Sequence, residues 1–446
     1  MRDEQDIRAV YGSALSGTAG SDRRRQDVTR VPGRTGVCVV AKGYTYQCTG
    51  YMVRVLQMAR TLHRLGLNVY IVWLLPVKQF LHSWRLGRAH LAPFDMHFVP
   101  ILPCFGVRAI ERLHNWLVGK WIDLLCRRHG AEIVQIEGTE AMQFVAPASL
   151  PRVLDVHGDM VAEKHPDMPR EADLRATAHL RQEQGAIRAA DRILCISRAM
   201  RDVLRARHGG IPPAYIVPCL VEVHKFSPAF ETRESRRAEF GLSDRLVLCY
   251  TGSLFRWQCV EETLRLIIKL RRIDTRYFAL FITPGDLSPY ARLLQQIGRQ
   301  EDDFRILSLS SDRVPAVLCM ADAGLLLRAE SPTNRVCSPT KLGEYLAAGA
   351  PVVTTEYAGD APSIVRETHT GAVLTCAAPA DREVTRLHEF LLDVWAHRQQ
   401  WFQRTCHAAR THRSWEANEE TLAACYESIL GSRLSAGTPR QAVERI

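Results

Sequence analysis

Residues 338–353 combine the start and stop signals of a short helix with residues suited to an anionic ligand. Ser338 is a predicted N-cap residue, and Pro339 suits the first helical position, where a missing N–H leaves no hydrogen bond unmade. Gly349 and Pro351 then end the helix, and the apolar residues that follow predict a buried strand. Because the first N–H groups of a helix lack partners and its dipole is positive there, this helix start predicts a phosphate-binding site.

Two charged side chains lie in the first turns of that helix. Lys341 has the unfavourable sign for a helix start, so its presence makes sense if an anion binds beside it. Glu344 lies one turn later on the same face, where its carboxylate could accept hydrogen bonds from the hydroxyl groups of a ribose. Together with the backbone at Ser338, Pro339 and Thr340, these side chains predict a binding site for a nucleoside diphosphate.

The same residues resemble the signature of retaining glycosyltransferases of the GT-B fold, family 4 type, in which such a helix holds the nucleotide-sugar. Many members carry two glutamates separated by seven residues. Glu344 matches the second, which binds the ribose, and Val336 stands where the first would be. Residues 325–345 also resemble a subgroup of bacterial surface-polysaccharide transferases with an Asn-x-Val-x-Ser-Pro-x-Lys segment, which here begins at Asn334. The resemblance therefore implies a nucleotide-sugar donor and adds Asn334 to the donor-binding residues.

Further donor-binding residues are predicted after two strands of the second half. The loop after the first of these strands contains Gly252, Ser253 and Arg256, and the corresponding loop of the family supplies an Arg and a Lys to the diphosphate. No Lys follows here within reach, and a solvated surface charge is the alternative for Arg256. Arg328, at the end of a later strand, could clamp phosphates with paired hydrogen bonds. Glu330 could replace the absent glutamate if its loop folded back toward the ligand.

Candidates in the first half also follow predicted strands. Gly50 lies in a loop whose position matches the Gly-containing loop beside the donor in GT-B enzymes, and an ordinary strand-to-helix turn is the alternative. His157 resembles the family histidine that contacts a hydroxyl of the donor sugar; a structural histidine is the alternative. Asp155, His157 and Asp159 could also form a metal-binding trio, which we disfavour on the argument that strand side chains alternate between faces. Glu163 matches a glutamate of the family on the helix after this loop, where it could either contact the acceptor or cap the helix.

Short β-rich runs alternate with helical stretches along the whole chain, a pattern typical of α/β proteins with parallel sheets. Two series of strands indicate two Rossmann-like, doubly wound domains facing a cleft, as in the GT-B fold. The predicted strands span residues 37–41, 69–75, 132–136, 152–157, 192–197, 215–218, 246–251, 278–283, 304–307, 323–328 and 351–355. The resemblance implies that a last helix, near residues 414–430, crosses back to the first domain.

The length of 446 residues suits two domains of roughly 200 residues each. The predicted N-terminal domain, for the acceptor, spans residues 35–220 together with the crossing helix at 411–432. The predicted nucleotide-sugar domain spans residues 221–410. Residues 1–34 and 433–446 are predicted to be a disordered arm and a flexible tail.

The positive charge of the chain is concentrated in one segment. The net charge is +10, and residues 76–129 contribute +5 of it while also carrying seven Phe and Trp residues. Basic and aromatic residues together suit an anionic membrane surface or a lipid-phosphate acceptor. The alternative is a core-facing helix, since apolar residues there keep helical spacing: Ile110, Leu113, Leu117, Trp121 and Leu124. No recognition motif accompanies the charge to indicate nucleic acid as a partner.

Several features indicate the compartment. No run of residues approaches the roughly 20 apolar residues that a membrane span needs, and the N-terminus lacks the apolar region of a secretory signal. The 13 cysteines contain no Cys-x-x-Cys pair and are typical of reduced thiols. These features predict a cytoplasmic protein, peripheral on the inner face of the plasma membrane if the basic segment binds lipid.

The sequence therefore predicts a glycosyltransferase that moves a sugar from a nucleoside-diphosphate donor to a lipid-linked or polysaccharide acceptor in cell-surface glycan biosynthesis. The resemblance implies retention, with the departing phosphate as the base. No metal or other cofactor is expected, because the helix dipole and cations would stabilise the leaving diphosphate. The predicted catalytic residues are His157, Lys341, Arg328 and Arg256. A sugar-nucleotide epimerase on the same fold and an inactive transferase-like binding subunit are the alternatives.

Overall fold

A computed structural model describes residues 33–43, 50–78, 80, 94–102, 108–145, 150–164 and 174–434. Residues 1–32 of the predicted disordered arm (1–34) and residues 435–446 of the predicted tail (433–446) lie outside the described residues. Within the described part, Cys219–Ala417 form one compact unit, the C-terminal unit. The described residues up to Pro218 and from Asn418 onward form a second, the N-terminal unit.

The N-terminal unit contains a seven-stranded, entirely parallel sheet in its described residues, of order β3-β2-β1-β4-β5-β6-β7. Its strands are β1 (Gly36–Lys42), β2 (Asn68–Pro76), β3 (Asp95–Ile101), β4 (Ala131–Glu137), β5 (Arg152–Val156), β6 (Arg192–Cys195) and β7 (Ala214–Ile216). Its first helices are α1 (Gly50–Arg64), α2 (Arg108–His129), α3 (Met160–Lys164), α4 (Leu174–Ala189) and α5 (Arg198–His208). The order 3-2-1-4-5-6 within it is that of the Rossmann fold.

The C-terminal unit repeats this topology in a six-stranded parallel sheet of order β10-β9-β8-β11-β12-β13. Its strands are β8 (Leu246–Thr251), β9 (Tyr277–Ile282), β10 (Phe304–Leu307), β11 (Ala323–Leu326), β12 (Val352–Thr355) and β13 (Gly371–Leu374). Its helices are α6 (Val223–Phe226), α7 (Phe230–Glu239), α8 (Val260–Ile273), α9 (Ala291–Ile297), α10 (Val314–Leu318), α11 (Pro332–Val336), α12 (Thr340–Ala347), α13 (Ala361–Thr368), α14 (Asp381–Ala396) and α15 (Arg398–Ala408). The predicted pair of Rossmann-like domains is confirmed.

The apolar runs of the strands are explained by burial on both faces of each sheet. In β8, Val247 and Cys249 belong to the apolar cluster on one face, and Leu248 and Tyr250 belong to the cluster on the other. Such two-sided burial is typical of parallel sheets, whose crossover helices cover both faces. The strands therefore read as continuous apolar runs, without the alternation of a half-exposed sheet.

The last helix, α16 (Glu419–Leu430), belongs to the N-terminal unit, as the sequence predicted. The buried Tyr426 hydroxyl donates a hydrogen bond to the Gln135 side chain of β4. The Arg192 guanidinium of β6 donates to the Ser428 carbonyl over 2.9 Å. These contacts attach α16 to β4 and β6 of the N-terminal sheet.

Two strands, β3 and β13, were not predicted, and both lie at an edge of their sheet. An edge strand has one neighbouring strand and less buried surface, so it does not require a continuous apolar run. Asp95, His97 and Pro100 interrupt β3, and most residues of β13 are only half-buried. The apolar signal that identified the inner strands is therefore absent from these edges.

Candidate functional site

The predicted phosphate-binding helix is present, but it begins later than predicted. Helix α12 starts at Thr340, and its N-cap residue is Pro339, which makes no side-chain capping bond. The predictions that Ser338 caps the helix and that Pro339 is its first residue are therefore wrong. Gly349 follows the helix with a φ of +84°, as expected for a glycine that ends a helix.

Ser338 is buried in a polar cluster instead of capping the helix. Its hydroxyl donates to Asp360 Oδ2 over 2.8 Å and accepts from the Arg413 guanidinium over 2.7 Å. The backbone N–H of Cys219 also donates to this hydroxyl, over 3.1 Å. Arg413 and Asp360 are in turn ion-paired at 2.6 Å. The Ser338 hydroxyl thus anchors the segment before α12, and these bonds occupy it.

Lys341 lies in the first turn of α12, as predicted, with its ammonium group pointing toward the loop after β8. Its Nζ donates to Gln258 Oε1 over 2.7 Å and lies 4.8 Å from the centre of the Tyr250 ring. Gly252 packs against the same side chain and has a φ of +108°. A Cβ atom at Gly252 would stand 2.4 Å from Lys341 Cε, so a larger residue would displace the Lys341 side chain and strain the backbone at this positive φ.

Arg328 supplies a second cation beside Lys341. The side chain is buried at 4% exposure, and its Nη1 donates to the Leu327 carbonyl over 2.8 Å. The backbone of Arg328 is bound on both sides by the Thr355 hydroxyl, which fixes the residue at the end of β11. Among the described residues, neither Arg328 nor Lys341 forms an ion pair with a carboxylate.

The two cations influence each other through space. Burial lowers the pKa of Lys341 well below its usual value, and the positive charge of Arg328 lowers it further; Glu344 opposes both effects. A bound anion would favour the charged form of Lys341 and remove this repulsion. The arrangement therefore suits an anionic ligand such as a diphosphate.

Glu344 lies half-buried one turn after Lys341, on the same helix. Burial raises the pKa of its carboxyl group, and the nearby Lys341 lowers it in part. In the described part of the chain, no side-chain hydrogen bond to this carboxylate is formed. Its oxygens are therefore able to accept hydrogen bonds from a ligand.

The loop between β11 and α12 buries one of its predicted donor-binding residues, Asn334, and exposes the other, Glu330. The buried Asn334 amide group donates to the Ala329 carbonyl over 2.9 Å and to the Trp257 carbonyl over 3.4 Å, so it joins two loops. Glu330 is exposed and pairs with Arg335 at 2.8 Å. Val336, at the position of the absent glutamate, is 2% exposed within the apolar core. The structure thus gives Asn334 a bracing role and does not place Glu330 with Lys341.

The loop after β8 brings only part of its predicted residues to the two cations. Gly252 contacts Lys341, and the Ser253 carbonyl accepts a hydrogen bond from the Tyr250 hydroxyl over 2.5 Å. Arg256 lies exposed on a short 3₁₀ helix, Arg256–Gln258, as its surface-charge alternative predicted. Gln258 and Tyr250, which contact Lys341, were not predicted. The available signal was that the loop after β8 lacks the lysine that the family places there.

In the N-terminal unit, His157 lies at the carboxyl end of β5 beside two carboxylates. Its Nε2 lies 2.8 Å from Glu137 Oε2 and 3.1 Å from Asp155 Oδ2. Both oxygens of Asp155 also accept hydrogen bonds from Arg54 of α1, over 2.8 and 2.9 Å. Glu137, which ends β4, and Arg54 were not predicted; a carboxylate directly after an apolar strand was the available signal for Glu137.

The charges of this cluster determine the protonation state of His157. Burial by itself would lower the pKa of His157, but the negative charges of Asp155 and Glu137 raise it to about 9. Burial and the neighbouring Asp155 raise the pKa of Glu137. For Asp155, the opposing effect of burial is outweighed by the charges of Arg54 and His157, which lower its pKa. At neutral pH His157 is therefore a cation that donates hydrogen bonds.

A cavity of about 290 Å³ opens beside His157 within the N-terminal unit. Polar and charged side chains surround it: Lys42, Tyr51, Glu137, Thr139, Glu140, His157, Glu163 and Lys164. The Tyr51 ring lies 5.1 Å from the His157 ring, centre to centre. A cavity of this size with donors and acceptors on several sides suits a hydroxyl-rich ligand such as a sugar.

Residues two apart share a face of a strand, as Asp155 and His157 do here, so the prediction that these side chains point to opposite faces is wrong. The trio is nevertheless not formed. Asp159 is turned away to pair with Arg207 and to accept from the backbone N–H of Ala162. Within the residues that the structure describes, Glu137 joins Asp155 and His157 in its place.

Gly50 is the exposed first residue of α1, and a Cβ atom built there would meet nothing within 4 Å. No close approach requires a glycine at this position in the described structure. Most of the loop in which it was predicted to act, residues 44–49, lies outside the described residues.

The basic segment includes α2, whose exposed side chains contradict the core-facing alternative. The residues expected to face the core are each about half-exposed: Ile110, Leu113, Leu117, Trp121 and Leu124. The buried face of the helix consists of Val118, Ile122, Leu125 and Cys126. Residues 79, 81–93 and 103–107 of the segment lie outside the described residues. In the described part of the chain, no helix has the length and apolar character that a membrane span requires.

Comparisons with known proteins agree with this architecture. Residues 49–225 match the family model Glycosyltransferase Family 4. A comparison with curated protein sequences finds no significant match.

Several solved structures share the fold of the whole chain. HepE from Anabaena in complex with UDP aligns at 16% identity with a TM-score of 0.65, over 88% of this chain and 100% of its own. Sucrose-phosphate synthase from Thermosynechococcus elongatus aligns at 12% identity and 0.64, over 89% and 100%. WaaG, a glycosyltransferase involved in lipopolysaccharide biosynthesis, aligns at 16% identity and 0.62, over 89% and 100%. The chain therefore has the GT-B fold of these solved structures, and its residues 49–225 resemble Glycosyltransferase Family 4.

Proposed function

We propose that this protein transfers a sugar, with retention, from a nucleoside-diphosphate donor to a lipid-linked or polysaccharide acceptor in cell-surface glycan biosynthesis. The observation that carries the donor assignment is the pair Arg328 and Lys341, two cations side by side without a carboxylate partner among the described residues. HepE, which shares the fold, has been solved with UDP and with UDP-glucose, which supports a nucleotide-sugar as the donor.

In this proposal the diphosphate binds at the start of α12. The N–H groups in the first turn of a helix lack intrahelical partners and lie at the positive end of its dipole. Lys341 and Arg328 add two charges to this position, and Glu344 accepts hydrogen bonds from the ribose hydroxyl groups. As the bond to the sugar breaks, negative charge grows on the diphosphate, and these fixed positive groups stabilise it without a metal ion.

The role of His157 follows from its charge. A histidine whose pKa is about 9 is already protonated at pH 7, so it does not act as a general base. It instead donates a hydrogen bond to a sugar hydroxyl in the adjacent cavity, held in orientation by Glu137 and Asp155. This is consistent with a retaining reaction in which the departing phosphate accepts the proton of the acceptor hydroxyl.

The donor site is tested with Lys341→Ala and Glu344→Ala in transfer assays with a panel of UDP-, GDP- and ADP-sugars. Loss of a group that stabilises transition-state charge lowers kcat by roughly 10²–10³-fold, so Lys341→Ala reduces turnover by at least this factor. Glu344→Ala weakens donor binding, seen as a higher KM. Arg335→Ala, which removes an exposed charge from the neighbouring helix, is the matched control.

Near-normal turnover in the Lys341 variant, with its fold intact by circular dichroism, would refute the donor site. Epimerised nucleotide-sugar in the absence of any acceptor would indicate the epimerase alternative. Nucleotide binding without turnover of any donor in the panel would indicate the inactive binding subunit.

We further propose that the protein is cytoplasmic and binds the anionic inner face of the membrane through α2. Six large apolar side chains of this helix are about half-exposed: Ile110, Leu113, Trp116, Leu117, Trp121 and Leu124. Exposed cations lie among them: Arg112, Lys120, Arg127 and Arg128. Apolar and basic side chains on one exposed helix favour insertion into an anionic lipid interface.

Sedimentation with vesicles that contain anionic lipid tests this proposal. Leu117→Gln with Trp121→Gln reduces the bound fraction, because it removes apolar surface from the centre of α2. Ile273→Gln is the control, since Ile273 is also exposed and follows two arginines, at the end of α8. Equal binding of both variants would place the membrane contact elsewhere.

A further inference from the structure

A second cluster of ionisable side chains lies at the edge strand of the N-terminal sheet, outside the candidate site. Asp95 and His97 lie on one face of β3, and His129 is the last residue of α2. His97 Nε2 and His129 Nε2 lie 2.9 Å apart. Asp95 Oδ1 lies 3.6 Å from His97 Nε2, and Asp95 Oδ2 lies 3.3 Å from His129 Nδ1.

The three side chains each direct one potential ligand atom to a common point. One ligand atom from each residue lies within 4.8 Å of the other two. Imidazole nitrogens and carboxylate oxygens are the ligands that Zn²⁺ and its neighbours in the first transition series accept.

The surroundings hold these ligands in position. The Tyr70 ring of β2 stacks on His129, with ring centres 4.7 Å apart and an angle of 28° between the planes. Tyr70 is itself 4% exposed and lies directly opposite Asp95 in the register of β2 and β3. The ligands are more accessible, with His97 29% and His129 19% exposed, so an ion can enter from solvent.

The other cluster with potential metal ligands in the described chain differs in one respect. There, the Arg54 guanidinium already binds both oxygens of Asp155, and His157 provides a second positive charge. No side-chain guanidinium or ammonium group is recorded within ion-pairing distance of Asp95 in the described residues. A metal ion is therefore better suited to the edge-strand cluster.

We propose that Asp95, His97 and His129 bind a divalent transition-metal ion of the Zn²⁺ class. With three protein ligands, the ion keeps one open position for water. Because the ligands come from two elements, the ion ties the end of α2 to the edge strand β3. Its effect is to stabilise the attachment of α2, independently of donor binding in the C-terminal unit.

Titration of the full-length protein with ZnCl₂ after EDTA treatment and dialysis tests this site by calorimetry. The double variant His97→Gln, His129→Gln loses one Zn²⁺-binding event, or binds Zn²⁺ at least about tenfold more weakly than the wild type. Even the loss of a residue that only orients a metal ligand lowers metal affinity by this factor, so the loss of two ligands lowers it at least as much. His397→Gln is the matched control. His397 is an exposed histidine that pairs with the Asp393 carboxylate at 2.9 Å, and this pair offers a metal ion only two ligands. This control retains the binding event.

Thermal melting provides a second readout. Zn²⁺ raises the melting temperature of the wild type and of the control, and leaves that of the double variant unchanged. Asp95→Asn gives an intermediate shift, and it replaces the double variant if the latter fails to fold in EDTA. Identical Zn²⁺ titrations and melting shifts in the wild type and in the cluster variants would overturn the proposal, as would no binding in the wild type.

Discussion

The ionic cluster around His157 in the N-terminal unit and that around Lys341 in the C-terminal unit differ in how their charges are compensated. In the N-terminal unit, Arg54 and His157 face two carboxylates, Asp155 and Glu137, so buried cations and anions match in number. In the C-terminal unit, Arg328 and Lys341 lie together without an ion-paired carboxylate in the described residues. Among the described side chains, carboxylates compensate the cations of the first cluster, whereas no carboxylate is ion-paired with the cations of the second.

This difference assigns a structural role to the paired charges around His157 and a ligand-binding role to the unpaired cations around Lys341. A buried charge with its partner in place contributes little net stability, but removal of one partner leaves the other uncompensated. Buried cations without a partner already carry that penalty, and a ligand that supplies negative charge relieves it. Substitutions should therefore have opposite effects on stability and binding in the two clusters.

The largest expected effect is on stability in the compensated cluster. Asp155→Ala leaves the 5%-exposed Arg54 without its carboxylate and destabilises the N-terminal unit by about 3–5 kcal/mol, the usual result of breaking a buried ion pair. Urea unfolding measures this change. Asp202→Ala, which removes an exposed carboxylate paired with Arg201, is the control and leaves the midpoint nearly unchanged. Equal midpoints for both variants would contradict the proposed compensation.

The opposite result is expected in the C-terminal unit. Arg328→Met removes an uncompensated buried charge, so the stability of the free protein is kept or increased. Binding of the nucleoside diphosphate weakens by about 1.5–3 kcal/mol, the contribution of hydrogen bonds to a charged group. Calorimetry with UDP, GDP and ADP, together with urea unfolding, separates the two effects. A destabilised variant with normal nucleotide affinity would reverse the roles assigned to the two clusters.

A smaller effect distinguishes two predicted glycines. Gly252→Ala forces a Cβ atom against Lys341 at a φ of +108°, which costs of order 1–3 kcal/mol and displaces the ammonium group. Gly50→Ala meets nothing within 4 Å and changes neither stability nor nucleotide affinity. Nucleotide titrations of both variants check this, and a loss of affinity in the Gly50 variant alone would restore the original prediction for that loop.

Measured per pH unit, the smallest effect is a pH dependence that comes from His157. Its pKa is raised from 6.5 to about 9 on folding, so its contribution to stability is complete below pH 6.5 and is lost as the pH rises through 9. The slope is at most about 1.4 kcal/mol per pH unit, the value for one proton. Unfolding curves between pH 6 and 9.5 should therefore show a steeper loss of stability for the wild type than for His157→Gln; parallel curves would contradict the raised pKa.

Local signals in the sequence were sufficient for the inner strands and for the helix at Lys341. Continuous apolar runs identified the buried strands, and the spacing from Lys341 to Glu344 placed both residues on one helix. Two other edge strands, β7 and β10, were predicted, whereas β3 was missed because Asp95, His97 and Pro100 break its apolar run, and β13 because it is a four-residue strand that begins with glycine. The sequence left the orientation of α2 open, because this helix carries apolar residues on two faces and spacing alone does not say which face packs on the sheet.

The partners of individual side chains were less predictable. Ser338 has the composition signal of a helix cap, yet its hydroxyl is used by Arg413, which lies 75 residues further along the chain. His157 was identified, but Arg54, 101 residues before Asp155, determines the charge balance around it. No local pattern records such pairings, because they depend on how distant segments pack.

The amino-acid sequence by itself determined the alternation of strands and helices, the two Rossmann-like units and the presence of Lys341 and Glu344 at a helix start. These features depend on burial periodicity and helix-end chemistry, which act over a few residues. Only the tertiary structure decided which of the two predicted arginines is buried near Lys341 (Arg328) and which is exposed (Arg256), that Glu137 joins His157, and that Asp95 and His97 meet His129. The physical reason is that the packing of distant segments determines which charged side chains lie close together. A shift of a few ångströms in that packing brings a different partner within reach.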